Sequence, residues 1–433
     1  MRSKFLPQSE FFKNVATLIT GTAISQFIPF LILPVLQRWF YSPEDFGLLA
    51  VYISLTTVFT NVSTFKYEYA IVLQKRLKNA ANLAFLSFYF VLGVSLISLI
   101  ISVVFKKQLT GYFEIGSSNN FLLLVPVTVL CVGIYEIFNY WNNREKRFST
   151  MAFSKVVQTG TAETTKLLSG LKGLISGGLI VGRVMGQFFS LAYMFFHFLK
   201  RDVKILRLHS VKKMRQLAVA NKEFPLFTAP STFLTALIYF TYINLFLKYY
   251  GAEAVGMIGV SMSYVAAGMG IISTSISQVF YREIAEITDK KRLQYFYLRF
   301  AIRLFALSMV LVMSAYLIPD RWVVYVLGEK WSSLMEVLRI IILWLSIYFV
   351  STSLGFIYIK VGRQRAMLVI RGVHLVLLTF GIWLAHHSFG DFYTTLWTFT
   401  WIQSAFYIFA ILIAVYFIRQ WKAPEPTSGS DRG

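Results

Sequence analysis

Phe40–Ser54 reads FYSPEDFGLLAVYIS, and Tyr249–Ser263 reads YYGAEAVGMIGVSMS. At an offset of 209 residues, Tyr41 matches Tyr250, Glu44 matches Glu253, Gly47 matches Gly256 and Val51 matches Val260. Each copy joins one apolar run to the next. The run before each copy carries two prolines five residues apart, Pro29/Pro34 and Pro225/Pro230. Proline in a membrane helix frees backbone groups and marks a bend. A turn repeated at this distance, among apolar runs of membrane length, predicts two six-helix halves of the same orientation.

Working outward, the apolar runs divide into twelve spans: 14–37, 46–70, 79–105, 119–142, 151–171, 174–199, 221–248, 252–281, 295–318, 334–359, 366–388 and 392–418. About 20 apolar residues cross a hydrocarbon core of about 30 Å. The composition agrees: 56% of the 433 residues are hydrophobic and 14% charged, far from a soluble domain. The fifth span is the exception. Its stretch Lys155–Lys166, KVVQTGTAETTK, is polar, which a bundle tolerates where neighbouring helices or water shelter it.

The net charge of +22 is not spread like that of a nucleic-acid binder. Of 42 Lys and Arg residues, 26 fall in the N-terminal segment and alternate loops, and 7 in the opposite loops. Loops rich in Lys and Arg stay cytoplasmic, so both termini are predicted inside. The chain divides into an N-terminal lobe (1–199), a basic cytoplasmic linker (200–220), a C-terminal lobe (221–420) and a disordered tail (421–433). Cys131 is the single cysteine, so no intrachain disulfide forms. The N-terminal MRSKFLPQSEFFK lacks a signal-peptide cleavage pattern, and the first run reads as a retained helix.

Several stretches together resemble the polysaccharide flippases of the multidrug/oligosaccharidyl-lipid/polysaccharide (MOP) exporter superfamily, the group containing Wzx-type O-antigen flippases. They are Phe40–Leu49 (FYSPEDFGLL), Tyr140–Val156 (YWNNREKRFSTMAFSKV), Gly177–Gln187 (GGLIVGRVMGQ), Val326–Leu338 (VLGEKWSSLMEVL) and Tyr358–Met367 (YIKVGRQRAM). Their order and spacing carry the likeness over about residues 10–420. The resemblance implies an all-α polytopic membrane protein, with twelve transmembrane helices in two six-helix lobes set in a V, as in MATE transporters. It implies a bacterial inner-membrane flippase for undecaprenyl-pyrophosphate-linked glycan, with membrane lipids and polysaccharide polymerase and chain-length machinery as partners. It implies no cofactor.

Such a cargo needs a polar path for sugar and diphosphate, and cations to offset the phosphate charge. On the fifth span, Lys155 and Lys166 lie 11 residues apart, about 20° from alignment on a helix, with Thr159 and Glu163 on the same broad face. Two lysines snorkelling from the helix ends is the plainer reading of that spacing. Arg183 and Arg371 lie deepest among the arginines. Lys66, Arg299 and Arg303 are nearer the cytoplasmic face, where they meet an incoming headgroup or anchor at the interface. Glu136 and Glu163 are candidates for binding a proton or sodium ion, or for neutralising a lysine. Glu336 and Arg339 are spaced to pair with each other.

Other features have structural readings. Gly178, Gly182 and Gly186 form a ridge for close helix packing. Trp39, Tyr41, Tyr140, Trp141, Trp322 and Trp331 sit near span ends, as an aromatic belt does. His374 is a lone histidine near Arg371, and His386/His387 lack a matching ligand set, so no metal site is expected. No phosphate-binding glycine loop followed by Lys-Ser/Thr is present. A multidrug antiporter would favour buried acids, and basic residues outnumber acids within these spans. A glycosyltransferase or polymerase would need a larger outer loop carrying an acid/base set. A lipid II flippase usually carries two more helices.

Overall fold

The computed structural model describes residues 8–112 and 120–421. The predicted tail past 421 and the start of the fourth span at 119 lie outside them. Among the described residues the architecture is all-helical, with twelve long helices. They are α1 (Gln8–Trp39), α2 (Pro43–Thr60), α3 (Leu77–Val104), α4 (Leu124–Arg144), α5 (Phe148–Leu171) and α6 (Ile175–Arg201). Ala229–Glu286 runs on as one hydrogen-bonded rod, but Gly251 at φ 80° and ψ 179° divides it into α7 (229–250) and α8 (252–286). Then come α9 (Lys290–Leu317), α10 (Leu334–Ser353), α11 (Gln364–Phe389) and α12 (Phe392–Gln420).

The two repeated turns are the same turn built differently. Ser42 starts α2 with extended backbone at φ −90° and ψ 169°, and its N–H donates to Asp45 Oδ2 at 2.9 Å. Its counterpart 209 residues on is Gly251, which needs no such cap because glycine alone adopts that φ freely.

α1 to α6 pack among themselves, and so do α7 to α12. The ridge Gly178/Gly182/Gly186 seats α6 against α5: a Cβ on Gly182 would lie 2.8 Å from Ala162 O, and one on Gly186 would lie 2.5 Å from Gln158 O. Arg147 and Asp202 pair across the start of α5 and the end of α6, with one contact at 3.0 Å. Asp391 caps α12. Its carboxylate accepts from the Thr394 amide at 2.8 Å and the Thr394 hydroxyl at 2.9 Å, which holds it below the usual carboxylate range.

The linker is docked rather than loose. Val203–Leu208 and Val211–Ala220 are helical, and Met214 and Leu217 are buried. The Ser210 amide donates to Asn82 Oδ1 at 2.8 Å, and Tyr67 Oη donates to Ala218 O at 3.2 Å.

The lobes meet mainly through α2 against the rod 229–286. A Cβ on Gly47 would lie 1.9 Å from Ala252 O, and one on Gly256 would lie 1.8 Å from Pro43 O. Residues 43 and 252 are themselves repeat equivalents, so each glycine meets the counterpart of its partner's contact. Around this crossing, Trp331 Nε1 donates to Gln37 O at 3.3 Å, and Asn244 Nδ2 donates to Ser54 Oγ at 3.4 Å.

Several predictions are corrected. The predicted second span runs over 46–70, but α2 ends at Thr60. Residues 61–67 form a turn in which Phe65 (φ 49°) and Lys66 (φ 61°) are both left-handed. No glycine or proline marks that break. Arg339 pairs with Asp320 at 2.7 Å, not with Glu336. Tyr41, Trp141 and Trp331 are buried packing residues rather than belt residues, whereas Trp39 and Trp322 are exposed. Eight segments are long and apolar enough alone to cross a membrane, among the described residues; α1, α2 and α5 are not among them. α2 lies in the interlobe contact and α5 between α1 and α6, so protein shelters them.

The α5–α6 seat gives a stability test. Gly186→Leu forces the helices apart and should cost about 1–3 kcal/mol, as overpacking does. Gly93→Ala on α3, where nothing lies within 4 Å of the added carbon, should leave the melting temperature of the purified protein unchanged or slightly raised. Equal melting temperatures for the two variants would contradict the packing described here.

Candidate functional site

The predicted face of α5 is only partly free. Glu163 is buried, and its carboxylate takes Lys166 Nζ at 2.6 Å. Thr159 Oγ1 donates back to Lys155 O at 3.0 Å, a bond within its own helix. Lys155 is partly exposed and lies within electrostatic reach of Glu136 on α4. The broad polar face therefore splits. Its end toward Lys166 is internally neutralised, and its end toward Lys155 faces another acid.

Glu136 belongs to a mixed-charge group. Glu68, Lys66 and Lys155 all lie within electrostatic reach of it. Lys66 Nζ sits 3.7 Å from Glu68 Oε1 and 5.5 Å from the centre of the Tyr69 ring. The left-handed turn at Phe65–Lys66 brings this about, because it breaks the helix and turns Lys66 back over Glu68 and Tyr69. Lys66 is thus a buried partner, not an exposed cation awaiting a headgroup. Two lysines and two glutamates leave the group formally neutral. Sequence reasoning gave Glu68 no role. The pattern Lys-x-Glu inside an apolar run was its one signal, and nothing in sequence shows that the turn brings it to Glu136.

The two deep arginines are placed differently. Arg183, on α6, has Tyr52 of α2 and Tyr239 of α7 within electrostatic reach, so it stands at the seam where the lobes meet. Its Nε has no hydrogen-bond partner among the described residues. Tyr52 Oη is paired with Thr128 Oγ1 at 2.6 Å. Arg371, on α11, donates through Nη1 to Ser231 Oγ at 2.6 Å and Ser231 O at 3.0 Å, at the start of α7. Tyr348, Tyr358 and Tyr407 surround it. Among the described residues neither arginine has a carboxylate within ion-pair distance, so each lobe carries a sheltered cation whose neighbours are neutral.

Arg299 and Arg303 are not brought to these groups. The buried face of α9 runs through Leu293, Tyr297, Ala301, Leu304 and Ser308, and both arginines point off it into exposure. Arg299 lies over the Tyr295 ring at 5.9 Å. His374 is buried and stacked on Phe406 at 3.7 Å, and His386 stacks on Tyr249 at 3.9 Å. No cluster of three or more His, Cys, Asp or Glu suited to a metal occurs among the described residues.

The Lys66–Glu68 pair is testable by a double-mutant cycle. Lys66→Met alone strands a buried carboxylate and should cost about 3–5 kcal/mol, while Lys66→Met with Glu68→Gln should recover most of it. Thermal melts of the three variants measure this. Additive losses would show that the two side chains do not interact.

No curated protein matches the sequence. Among solved structures, an inward-facing multidrug resistance MATE family transporter of the MOP superfamily superposes with a TM-score of 0.71 at 13% identity, over 93% of this chain and 94% of that one. A MOP superfamily transporter from Pyrococcus furiosus, reported with a binding pocket of reversed polarity, gives 0.64 at 13% identity, over 95% of this chain and 97% of that one. The lipid II flippase MurJ, in an inward closed conformation, gives 0.61 at 16% identity, over 93% of this chain and 86% of that one. At such identities these likenesses show the fold, which in those proteins serves transport rather than catalysis. Residues 35–336, well over half of the chain, match the model of one sequence family, and the chain belongs to it: the polysaccharide biosynthesis protein family.

Proposed function

We propose that this protein is a flippase. It carries an oligosaccharide linked to undecaprenyl pyrophosphate, an O-antigen or related surface-polysaccharide repeat unit, across the bacterial inner membrane by alternating access. The lobes 1–199 and 221–420 act as the two moving units, with the linker 200–220 and both termini on the cytoplasmic side. The observation that carries the reading is the pair of sheltered arginines, one per lobe, without acidic partners. A buried cation left unpaired is costly, and a diphosphate supplies the missing charge with forked hydrogen bonds. The seam position of Arg183 and the family's link to polysaccharide biosynthesis support the same reading.

In this mechanism Arg183 and Arg371 take the diphosphate while Lys155 and Thr159 line the sugar path. The lipid tail stays in the bilayer. Lys166 and Glu163 hold each other and tune the wall. Glu136, in its group with Glu68, Lys66 and Lys155, is the better of the two candidate coupling acids, since Glu163 is already neutralised. The flipped unit then passes to polymerase and chain-length machinery. The crossing of Gly47 and Gly256 closes the outer side in the state described above and separates when that side opens.

Complementation of a strain lacking its own flippase tests this. Arg183→Ala and Arg371→Ala should each lower polysaccharide export about tenfold or more at normal protein levels, the loss of a charge-assisted hydrogen bond. Arg299→Ala and Arg303→Ala should export normally. A disulfide between cysteines placed at Ser54 and Asn244 should stop export, and reductant should restore it. Normal export by both deep-arginine variants would sink the reading. Efflux of cationic drugs without glycan export would favour the multidrug antiporter instead.

A further inference from the structure

A cleft of about 460 Å³ opens on the flank of the interlobe seam. Phe30 and Pro34 of α1 form one wall, and Tyr264 and Met269 of α8 another. Ser314 of α9, Val326 of the short helix Asp320–Leu327 and Met335 of α10 close the rest. Its lining is apolar but for the Trp322 indole N–H and two hydroxyls, and both hydroxyls are already committed. Ser314 Oγ donates to Leu311 O at 2.7 Å, and Tyr264 Oη donates to Gln37 Oε1. A hydrocarbon chain seated in a cleft of this size gains dispersion contacts along the whole lining.

The rim is charged. Arg38 donates to Val324 O at 3.2 Å and Tyr325 O at 3.1 Å, which places its guanidinium on the helix that lines the cleft. Arg321, next to the lining residue Trp322, is exposed, and the neighbouring acid Asp320 is already paired with Arg339 at 2.7 Å. These are two of only 7 basic residues on the side where positive charge is otherwise sparse. An apolar slot capped by arginines matches a lipid with a hydrocarbon chain and an anionic head.

We propose that this cleft seats one acyl chain of an anionic phospholipid from the leaflet on that side, with its phosphate at Arg38 and Arg321. One wall belongs to the first lobe and the others to the second, so the slot exists only while the lobes are closed there. A lipid that fits only that arrangement favours it over the open one. The site does not depend on the identity of the cargo.

The full-length protein in lipid nanodiscs tests this, using phosphatidylglycerol with a photoreactive diazirine near the end of its acyl chain. Labelling should concentrate on peptides containing Met269, Ser314 and Val326. Ser314→Trp and Val326→Trp, both at exposed lining positions, should reduce that labelling several-fold. Arg321→Gln should reduce it for phosphatidylglycerol but not for phosphatidylcholine carrying the same chain. If neither tryptophan variant folds, competition by unlabelled phosphatidylglycerol on the unmodified protein replaces them and should remove the label. Labelling that neither the variants nor the competitor change overturns the proposal. So does equal labelling of the unmodified protein by both lipids. Competition by polyprenyl phosphate alone gives the cleft to an isoprenoid chain and also overturns it.

Discussion

Two peptide carbonyls and two missing methyl groups set the distance between the halves of this protein. Ala252 O sits where a Gly47 side chain would be, and Pro43 O where a Gly256 side chain would be. Membrane helices associate through packing and weak polar contacts rather than through a hydrophobic drive, so close backbone approach is their main source of attraction. The other seam contacts follow from it. Phe46 meets Trp331 edge to face at 5.5 Å, and the Asn244–Ser54 bond lies deeper along the same crossing. A contact of this kind is all-or-none, because a carbonyl cannot slide past a Cβ by small steps. It suits two discrete arrangements of the lobes.

Charge follows a second logic. Within the first lobe, Lys166 has Glu163 and Lys66 has Glu68, so buried cations are offset locally. Arg183 and Arg371 have tyrosines and serine around them instead. Neutral hydroxyls orient a guanidinium without cancelling its charge. That difference, more than the overall excess of basic residues, separates structural ion pairs from positions available to an anion.

Much of the fold was legible because hydrophobic run length and loop charge are direct consequences of the bilayer. The repeat was legible for the same reason the crossing exists: only glycine fits at 47 and 256, so the match survives there. The end of α2 was not legible. Asn61–Tyr67 (NVSTFKY) is polar at Asn61, Ser63, Thr64 and Lys66, but a polar stretch alone does not end a helix, as α5 shows, and no glycine announces the positive φ of Phe65 and Lys66. The aromatic belt was half right, since tyrosine and tryptophan near a helix end serve an interface or a core equally well. Of the candidate site, the deep arginines and the Lys166–Glu163 spacing could be read from position alone. The gathering of Lys66, Glu68, Glu136 and Lys155 could not, because it joins a turn, α4 and α5 through space.

The reciprocal turn also bears on ancestry. A contact in which residue 47 meets 252 while 256 meets 43 is the pattern of a two-fold dimer, here written into a single polypeptide. In a true homodimer every substitution is imposed on both subunits at once. Fusion removes that obligation. Here one half has a serine-capped turn and the other Gly251; one carries the Glu68, Glu136 and Glu163 carboxylates, while the other carries Arg371 among tyrosines. Halves joined in one chain are free to divide labour in this way.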